Sequence, residues 1–179
     1  MANITKWVLD PTHSELLFKV KHLMITNVKG EFRNFEGTIL ASGDDFSSAK
    51  VTATVAASSI FTNNEDRDNH LKSEDFFNVE KFEKLTFEGT KFEKVDDENY
   101  RLSGNLTIIG VTKEITLDVE FGGIAVDPWG NKKAGFSLAG QINRKDWGLN
   151  WNAALETGGV LVSDTVKISA ELQFVVGEE

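Results

Sequence analysis

The sequence predicts an all-β protein, a single extended antiparallel β-barrel of about eight strands with one or more short helices. The chain contains 13 phenylalanines, 15 glycines and only 2 prolines, a composition typical of many strands joined by glycine-containing turns. Apolar and polar residues alternate with period two along most of the chain, and no helical period lasts beyond a few turns. Small residues recur on the apolar faces, which favours a barrel over a sandwich: Ala53, Gly104, Ala134, Gly140 and Ala170.

The strands follow from this alternation in chain order. Alternating runs cover 7–9, 16–20, 28–41 with a break at 33–37, 51–55, 85–87, 100–108, 115–121, 136–142 and 166–174. The clearest pair is 100–108 and 115–121, in which apolar residues occupy every second position on both sides of Gly110. This pair predicts a hairpin with one buried face and one solvated face.

Three short segments are helical candidates. The best begins at Asn64 or Glu65, with Leu71 facing inward. The others are the stretches MITNV at 24–28 and RKDWG at 144–148.

Length and charge limit the function classes. We expect one domain over residues 1–179, large enough for one substantial core. The small inward-facing residues either leave room for a ligand or accommodate phenylalanine rings, and the sequence leaves both readings open. The net charge of -9 has the wrong sign for nucleic-acid binding. The absence of cysteine excludes disulfides, thiolate nucleophiles and thiolate zinc sites.

Residues 65–77, EDRDNHLKSEDFF, contain many charged side chains that could form a metal or catalytic site. The spacing of these side chains argues against both. Asp66, Asp68 and His70 alternate as at the start of a calcium loop, but Leu71 occupies the place of the required glycine. The three histidines lack zinc-enzyme spacing, and no G-x-S-x-G or phosphate-loop motif is present. We therefore expect no metal, no cofactor and no enzymatic activity.

The N-terminal segment contains no apolar stretch of the signal-peptide type, so we expect a cytoplasmic protein. No apolar run approaches the roughly 20 residues of a membrane-spanning helix. The sequence leaves a homodimer open.

Basic groups near the presumed barrel rim are unusual in so acidic a chain: His13, Arg67, His70, Lys72 and Arg144. They could hold the polar head of an amphiphile whose tail enters the barrel. Alternatively, the two arginines could pair with Asp66, Asp68 or Asp146 and fix loops.

Four long stretches carry a resemblance to a known family: WVLDPTHSELLFKVKHLMITNVKGEF, SSIFTNNEDRDNHLKSEDFFNVEKFEKLTF, YRLSGNLTIIGVTKEITLDVEF and AGFSLAGQINRKDWGLNW. Over about residues 6–175 the chain resembles the YceI-like, polyisoprenoid-binding, lipocalin-like proteins. The resemblance implies a lipocalin-like barrel with an elongated apolar pocket for an isoprenoid or fatty-acid-like molecule, and it does not imply catalysis.

The resemblance, with the rim groups above, gives a predicted site. The predicted head-group residues are His13, Arg67, Asp68, His70 and Arg144. The predicted tail contacts are Phe18, Val20, Phe76, Phe77, Leu106, Ile108, Phe136, Trp147 and Trp151. The leading hypothesis is a protein that sequesters or transports such a lipid. The alternatives are an enzyme that modifies it, with His13, His70 and nearby carboxylates as acid-base groups, and a structural interaction protein.

Overall fold

A computed structural model describes residues 4–23, 25–152 and 162–177. The strands are β1 (Ile4–Leu9), β2 (Glu15–His22), β3 (Thr26–Phe32), β4 (Phe35–Ser42), β5 (Asp45–Ala56), β6 (Ile60–Phe61), β7 (Lys84–Lys94), β8 (Asn99–Ile108), β9 (Val111–Val126), β10 (Lys132–Asn143) and β11 (Thr165–Val176). The helix α1 spans Glu65–Lys72, and short 3-10 turns cover Pro11–His13, Ala57–Ser59 and Arg144–Trp147.

Eight of these strands close into the predicted antiparallel barrel. The ring runs β1-β4-β5-β7-β8-β9-β10-β11, and pairing of β11 with β1 closes it. The last strand is forked, since its segment Lys167–Glu171 pairs with β2 while Phe174–Val176 pairs with β1. Strands β3 and β6 continue the sheet beyond β2. The barrel prediction is confirmed, and the three additional strands form an extension of the sheet at one end.

The predicted hairpin is confirmed as β8 and β9, whose register pairs Tyr100 with Val119 and Ile108 with Val111. Its two-residue turn places Ile109 at φ 43° and Gly110 at φ 77°. Tight hairpin turns of this kind need positive φ at both central residues, which glycine adopts without strain.

The structure confirms two of the three helical predictions. Asn64 caps α1, and its side-chain oxygen accepts the backbone N–H of Arg67 at 2.9 Å. The segment 144–147 forms a 3-10 turn that ends at Gly148. The predicted helix over 24–28 is wrong, because β3 begins at Thr26 and its pairing with β2 extends to His22; Met24 lies outside the described residues. None of the described helices is long and apolar enough to cross a membrane.

Aromatic rings fill one end of the barrel, which we call the packed end: Trp7, Phe46, Phe92, Tyr100, Phe121, Phe136 and Phe174. The fully buried Phe46 ring lies at its centre, with ring centroids 5.2 Å from Trp7 and 5.1 Å from Phe136. Inward-facing glycines accommodate bulky neighbours, as the second sequence reading proposed. A Cβ on Gly104 would lie 2.4 Å from the Phe87 ring.

Candidate functional site

A cavity of about 650 Å³ lies inside the barrel, and a second buried cluster, which includes Ile60, Ile108 and Trp147, packs beside it. Every second residue of β11 lines it: Val166, Ile168, Ala170, Leu172 and Phe174. The first and last of these positions are eight residue steps apart, or about 26 Å at 3.3 Å per step. The structure thus contains the elongated internal cavity that the lipid-binding hypothesis requires.

The walls of this cavity are apolar over most of its length. Inward-facing side chains of the other strands line it: Leu9, Phe18, Val20, Val28, Phe32, Val51, Val55, Leu85, Phe87, Leu102, Leu106, Ile108, Ile115, Leu117, Leu138 and Ile142. Removal of a hydrocarbon from water into such a space contributes roughly 0.8 kcal/mol for each methylene.

Polar lining groups lie at the other end of the barrel, which we call the open end. Here β2 ends at His22, β10 ends at Asn143 and β11 begins at Thr165. The helix α1 borders this end, since its residues Arg67 and His70 line the cavity. The polar residues of this end that line the cavity are Lys21, His22, Thr62, Asn64, Asp66, Arg67, His70 and Arg144. The cavity is therefore amphipathic along its length.

A hydrogen-bonded triad ties α1 to the barrel. Asp68, which is buried, accepts the backbone N–H of Thr62 at 2.8 Å and its hydroxyl at 2.5 Å. Arg67 donates from Nε to the same hydroxyl at 2.7 Å and from Nη2 to the Thr62 carbonyl at 2.6 Å. These bonds hold the start of the helix against β6 and leave the Nη1 group of Arg67 without a hydrogen-bond partner among the described residues.

His70 stands in an aromatic corner of the open end. Its ring lies edge-on to Trp151, with centroids 4.6 Å apart, and edge-on to Phe76 at 5.2 Å. Its Nε2 atom is 2.8 Å from the Asp75 carboxylate. Phe77 packs on Phe32, and both Phe76 and Phe77 line the cavity, so we call residues 65–77 the lid.

Arg144 is 3% exposed and bonds to backbone carbonyls. Its Nη1 group donates to Leu149 at 2.6 Å and to Trp151 at 2.8 Å, and its Nε donates to Ser163 at 2.9 Å. Burial lowers the pKa of the Arg144 guanidinium, and the charge of Asp164 partly opposes that effect. A guanidinium nonetheless stays charged at neutral pH, so the site carries a buried cation.

The loop-fixing alternative for the two arginines was therefore half right. Both do fix loops, but they do so through backbone carbonyls and the Thr62 hydroxyl. Within the described ranges neither arginine forms an ion pair with Asp66, Asp68 or Asp146.

The structure brings most of the predicted site together around the cavity. The predicted residues that line it are Phe18, Val20, Arg67, His70, Phe76, Phe77, Leu106, Ile108, Arg144 and Trp151. Their contact with a ligand stays a prediction.

Four predicted residues lie away from the cavity. His13 is exposed and bonds the Asp10 carboxylate at 2.8 Å through Nδ1, because a short 3-10 turn carries it outside the barrel wall. Asp68 turns toward Thr62, Phe136 belongs to the packed end, and the Trp147 indole donates to the Leu106 carbonyl at 2.8 Å.

The sequence reasoning also missed lining residues. Lys21 and His22 close the end of β2 beside the opening, and Asn64 and Asp66 line it from the start of α1. The apolar alternation of 166–174 was recognised as a strand face but was not assigned to the site. The sequence did contain a signal for His22, because the apolar alternation of β2 continues to this polar last residue.

No group of three or more histidine, aspartate or glutamate side chains with metal-binding geometry occurs in the part of the chain that the structure describes.

Comparisons with known proteins agree with this architecture. The YceI-like domain family matches residues 7–174. A UPF0312 protein of Staphylococcus aureus is 46% identical over 176 residues, covering 98% of this chain and all of its own length. The crystal structure of a Campylobacter jejuni YCEI protein is 36% identical with a TM-score of 0.74, over 89% of this chain and 91% of that one.

A polyisoprenoid binding domain from Saccharophagus degradans, implicated in plant cell wall breakdown, shares the fold at 16% identity. The TM-score is 0.74, and the match covers 98% of this chain and 100% of that domain.

Proposed function

We propose, from the premise that this chain belongs to the YceI-like family, that it binds a long-chain isoprenoid or similar amphiphilic lipid and sequesters or carries it. The observation that carries this proposal is the cavity of about 650 Å³, whose lining is mostly apolar and whose lysine, arginine and histidine side chains lie near its opening. The polyisoprenoid-binding neighbour of the same fold supports the ligand class. Cytoplasmic action is part of the proposal and rests on the sequence alone.

The amphipathic lining suggests how a ligand is oriented. The apolar chain lies along β11 toward Phe174, where removal from water stabilises it. The polar head stays at the open end, within reach of the Arg67 and His70 side chains. Arg144 places a buried positive charge near that head, which favours a head that is anionic or rich in hydrogen-bond acceptors.

Two measurements test this function. Mass spectrometry of organic extracts from natively purified protein should find a stoichiometric long-chain lipid. Titration with the fluorescent fatty acid cis-parinaric acid should saturate at one site, and Ala53→Phe, which inserts a ring into the cavity, should weaken binding by about tenfold or more.

A matched control variant is Thr54→Phe. Thr54 is the next residue of β5, so its side chain points to the outer surface. This variant should bind like the wild type. Equal loss in both variants, or the absence of both co-purified lipid and probe binding, contradicts the proposal.

One observation favours a second candidate function, an enzyme that acts on the bound lipid. His70 lines the cavity and pairs with Asp75, an arrangement that a general base can use. Incubation with prenol or fatty-acyl substrates and product analysis tests it. Turnover that His70→Ala abolishes while sparing parinaric acid binding favours the enzyme; binding without turnover favours the carrier.

A further inference from the structure

Four lysines lie together beside the open end, three on the outer face of β11, β2 and β3 and Lys21 at the rim of the cavity. Strand register places Lys167 opposite Lys19, and Lys19 opposite Lys29, so three lysines lie side by side across three strands. Lys21 follows one row nearer the opening. We call these four residues the lysine patch. None of them forms an ion pair within the described ranges.

This patch is costly for the fold. Like charges directly opposite each other on neighbouring strands repel and destabilise a sheet. The chain has 28 acidic residues with which to compensate them, yet the nearest row toward the packed end contributes only Glu31 opposite Leu17. Three adjacent lysines in a protein of net charge -9 therefore indicate a surface that meets a negative partner.

The connection between β2 and β3 adds an apolar element to the same surface. Leu23 is 39% exposed and Ile25 is 79% exposed. Leu23 also has φ 56°, a left-handed conformation that costs energy for leucine. Neither side chain contributes to the two buried clusters of the barrel. Large apolar groups beside a basic patch are the combination that binds an anionic lipid interface.

The cavity opening lies at the same place. Lys21 and His22, the last residues of β2, line the cavity, and the exposed Leu23 follows them directly. We propose that the lysine patch together with Leu23 and Ile25 docks on an anionic lipid bilayer and holds the cavity opening at its surface. A ligand then passes between bilayer and barrel without crossing water. The transfer of a ligand rests on the proposed lipid-binding function, whereas the docking of this surface on a bilayer does not.

The surface at the packed end has the opposite charge. Carboxylates outnumber their lysine partners at or beside its hairpin turns: of Asp44, Asp45, Asp96, Asp97, Glu98 and Asp127, only Asp44, Asp97 and Asp127 form ion pairs among the described residues, with Lys132, Lys94 and Lys133. A negative surface repels these turns while it attracts the lysine patch, so approach is oriented with the open end forward. Trp129, 83% exposed in the turn between β9 and β10, is the rival contact at that end.

Flotation of the full-length protein with lipid vesicles tests the docking. We expect binding to phosphatidylcholine vesicles that contain about one-quarter phosphatidylglycerol, weak binding to phosphatidylcholine alone, and loss of binding at high salt. The triple variant K19Q/K29Q/K167Q should lower affinity about tenfold or more. The variant L23N/I25S should also bind more weakly, and asparagine tolerates the left-handed backbone at position 23.

Matched controls locate the effect. The triple variant K6Q/K50Q/K113Q removes three exposed lysines from other parts of the wall and should bind within about twofold of the wild type. Trp129→Ser should also leave binding unchanged. Any one of three results overturns the proposal: wild type that does not float, equal loss of binding in both triple variants, or loss of binding through Trp129→Ser. Such a result points to an acidic protein partner or to docking by the packed end.

A second readout separates this proposal from the lipid-binding function. Titration with cis-parinaric acid in vesicle-free buffer should give the same affinity for wild type and K19Q/K29Q/K167Q. Probe binding without flotation overturns docking and leaves the lipid-binding function in place. Flotation without probe binding leaves docking in place and contradicts the lipid-binding function.

Discussion

The two ends of this barrel are built from one alternating pattern and differ in what fills them. At the packed end, rings from different strands meet across the interior, as Trp7, Phe46 and Phe136 do. Toward the open end, inward positions such as Val20, Val51 and Ile168 line a cavity. Eight strands give an interior that side chains can just fill. Side-chain size at inward positions thus decides whether a stretch of barrel becomes core or cavity.

The largest effect should come from emptying the packed end. Phe46→Ala removes a ring that is fully buried and touches three others, so the free energy of unfolding should fall by about 3–5 kcal/mol. Urea denaturation followed by tryptophan fluorescence measures it. The matched variant Phe77→Ala, in the half-buried lid, should cost less than about half as much. Equal costs would mean that the two ends are packed alike.

The next largest difference between the two ends should come from adding a ring to each interior. Ala134 is 1% exposed within the packed end, so Ala134→Phe should cost about 3 kcal/mol through overpacking. Ala53→Phe faces the cavity and should cost less than about 1 kcal/mol. Differential scanning calorimetry of both proteins gives the comparison. If the Ala53 variant is the less stable one, the cavity is smaller than the structure indicates.

The lid should depend on one buried carboxylate. Asp68→Ala removes the acceptor of two Thr62 hydrogen bonds and should lower stability by about 1–2 kcal/mol. Hydrogen exchange of α1 should accelerate as well. Asp66→Ala, at an exposed position of the same helix, is the control and should change stability by less than about 0.5 kcal/mol. Unchanged exchange in the Asp68 variant would show that the lid is held by its phenylalanines alone.

The smallest effect should be on stability in acid, and it concerns Asp10 in the connection between β1 and β2. Hydrogen bonds from Thr12 and then from His13 hold the pKa of the Asp10 carboxyl well below its usual range. Its stabilisation is complete above the unfolded pKa of about 4 and is lost as pH falls toward the lower folded value. Asp10→Asn should therefore be less stable than wild type at pH 7, and the gap should shrink below about pH 4. Urea denaturation of both proteins across this pH range measures the difference in stability. A difference that does not change with pH means that the charge of Asp10 does not contribute to stability.

The sequence was sufficient for features set by local pattern. Alternation identified the hairpin of β8 and β9, and Asn64 signalled the start of α1 because its side chain caps the helix. Phe76 and Phe77 could be placed over the cavity since they follow a capped helix in a matching family segment.

What the sequence could not predict depends on contacts between distant segments. Phe18 and Phe136 have the same apolar environment in the pattern, and only their position along the barrel makes one a cavity wall and the other core. His13 lies outside the cavity because the 3-10 turn Pro11–His13, capped by Asp10, decides its direction. Arg144 lines the cavity, and its role toward a ligand stays a prediction; its bonding to the carbonyls of Leu149 and Trp151 depends on how the loop folds back.

The forked pairing of β11 also sets the order of events when the protein is made. The ring closes only when Leu9 meets Phe174 and Trp7 meets Val176, which are separated by almost the whole chain. Such non-local contacts make folding slow and leave earlier strands with open edges until the end. On the ribosome, the nascent chain lacks the wall that β11 supplies to the cavity. A ligand of the proposed kind can therefore enter only after β11 has been made, and a chain without these twelve residues of strand has no closed cavity.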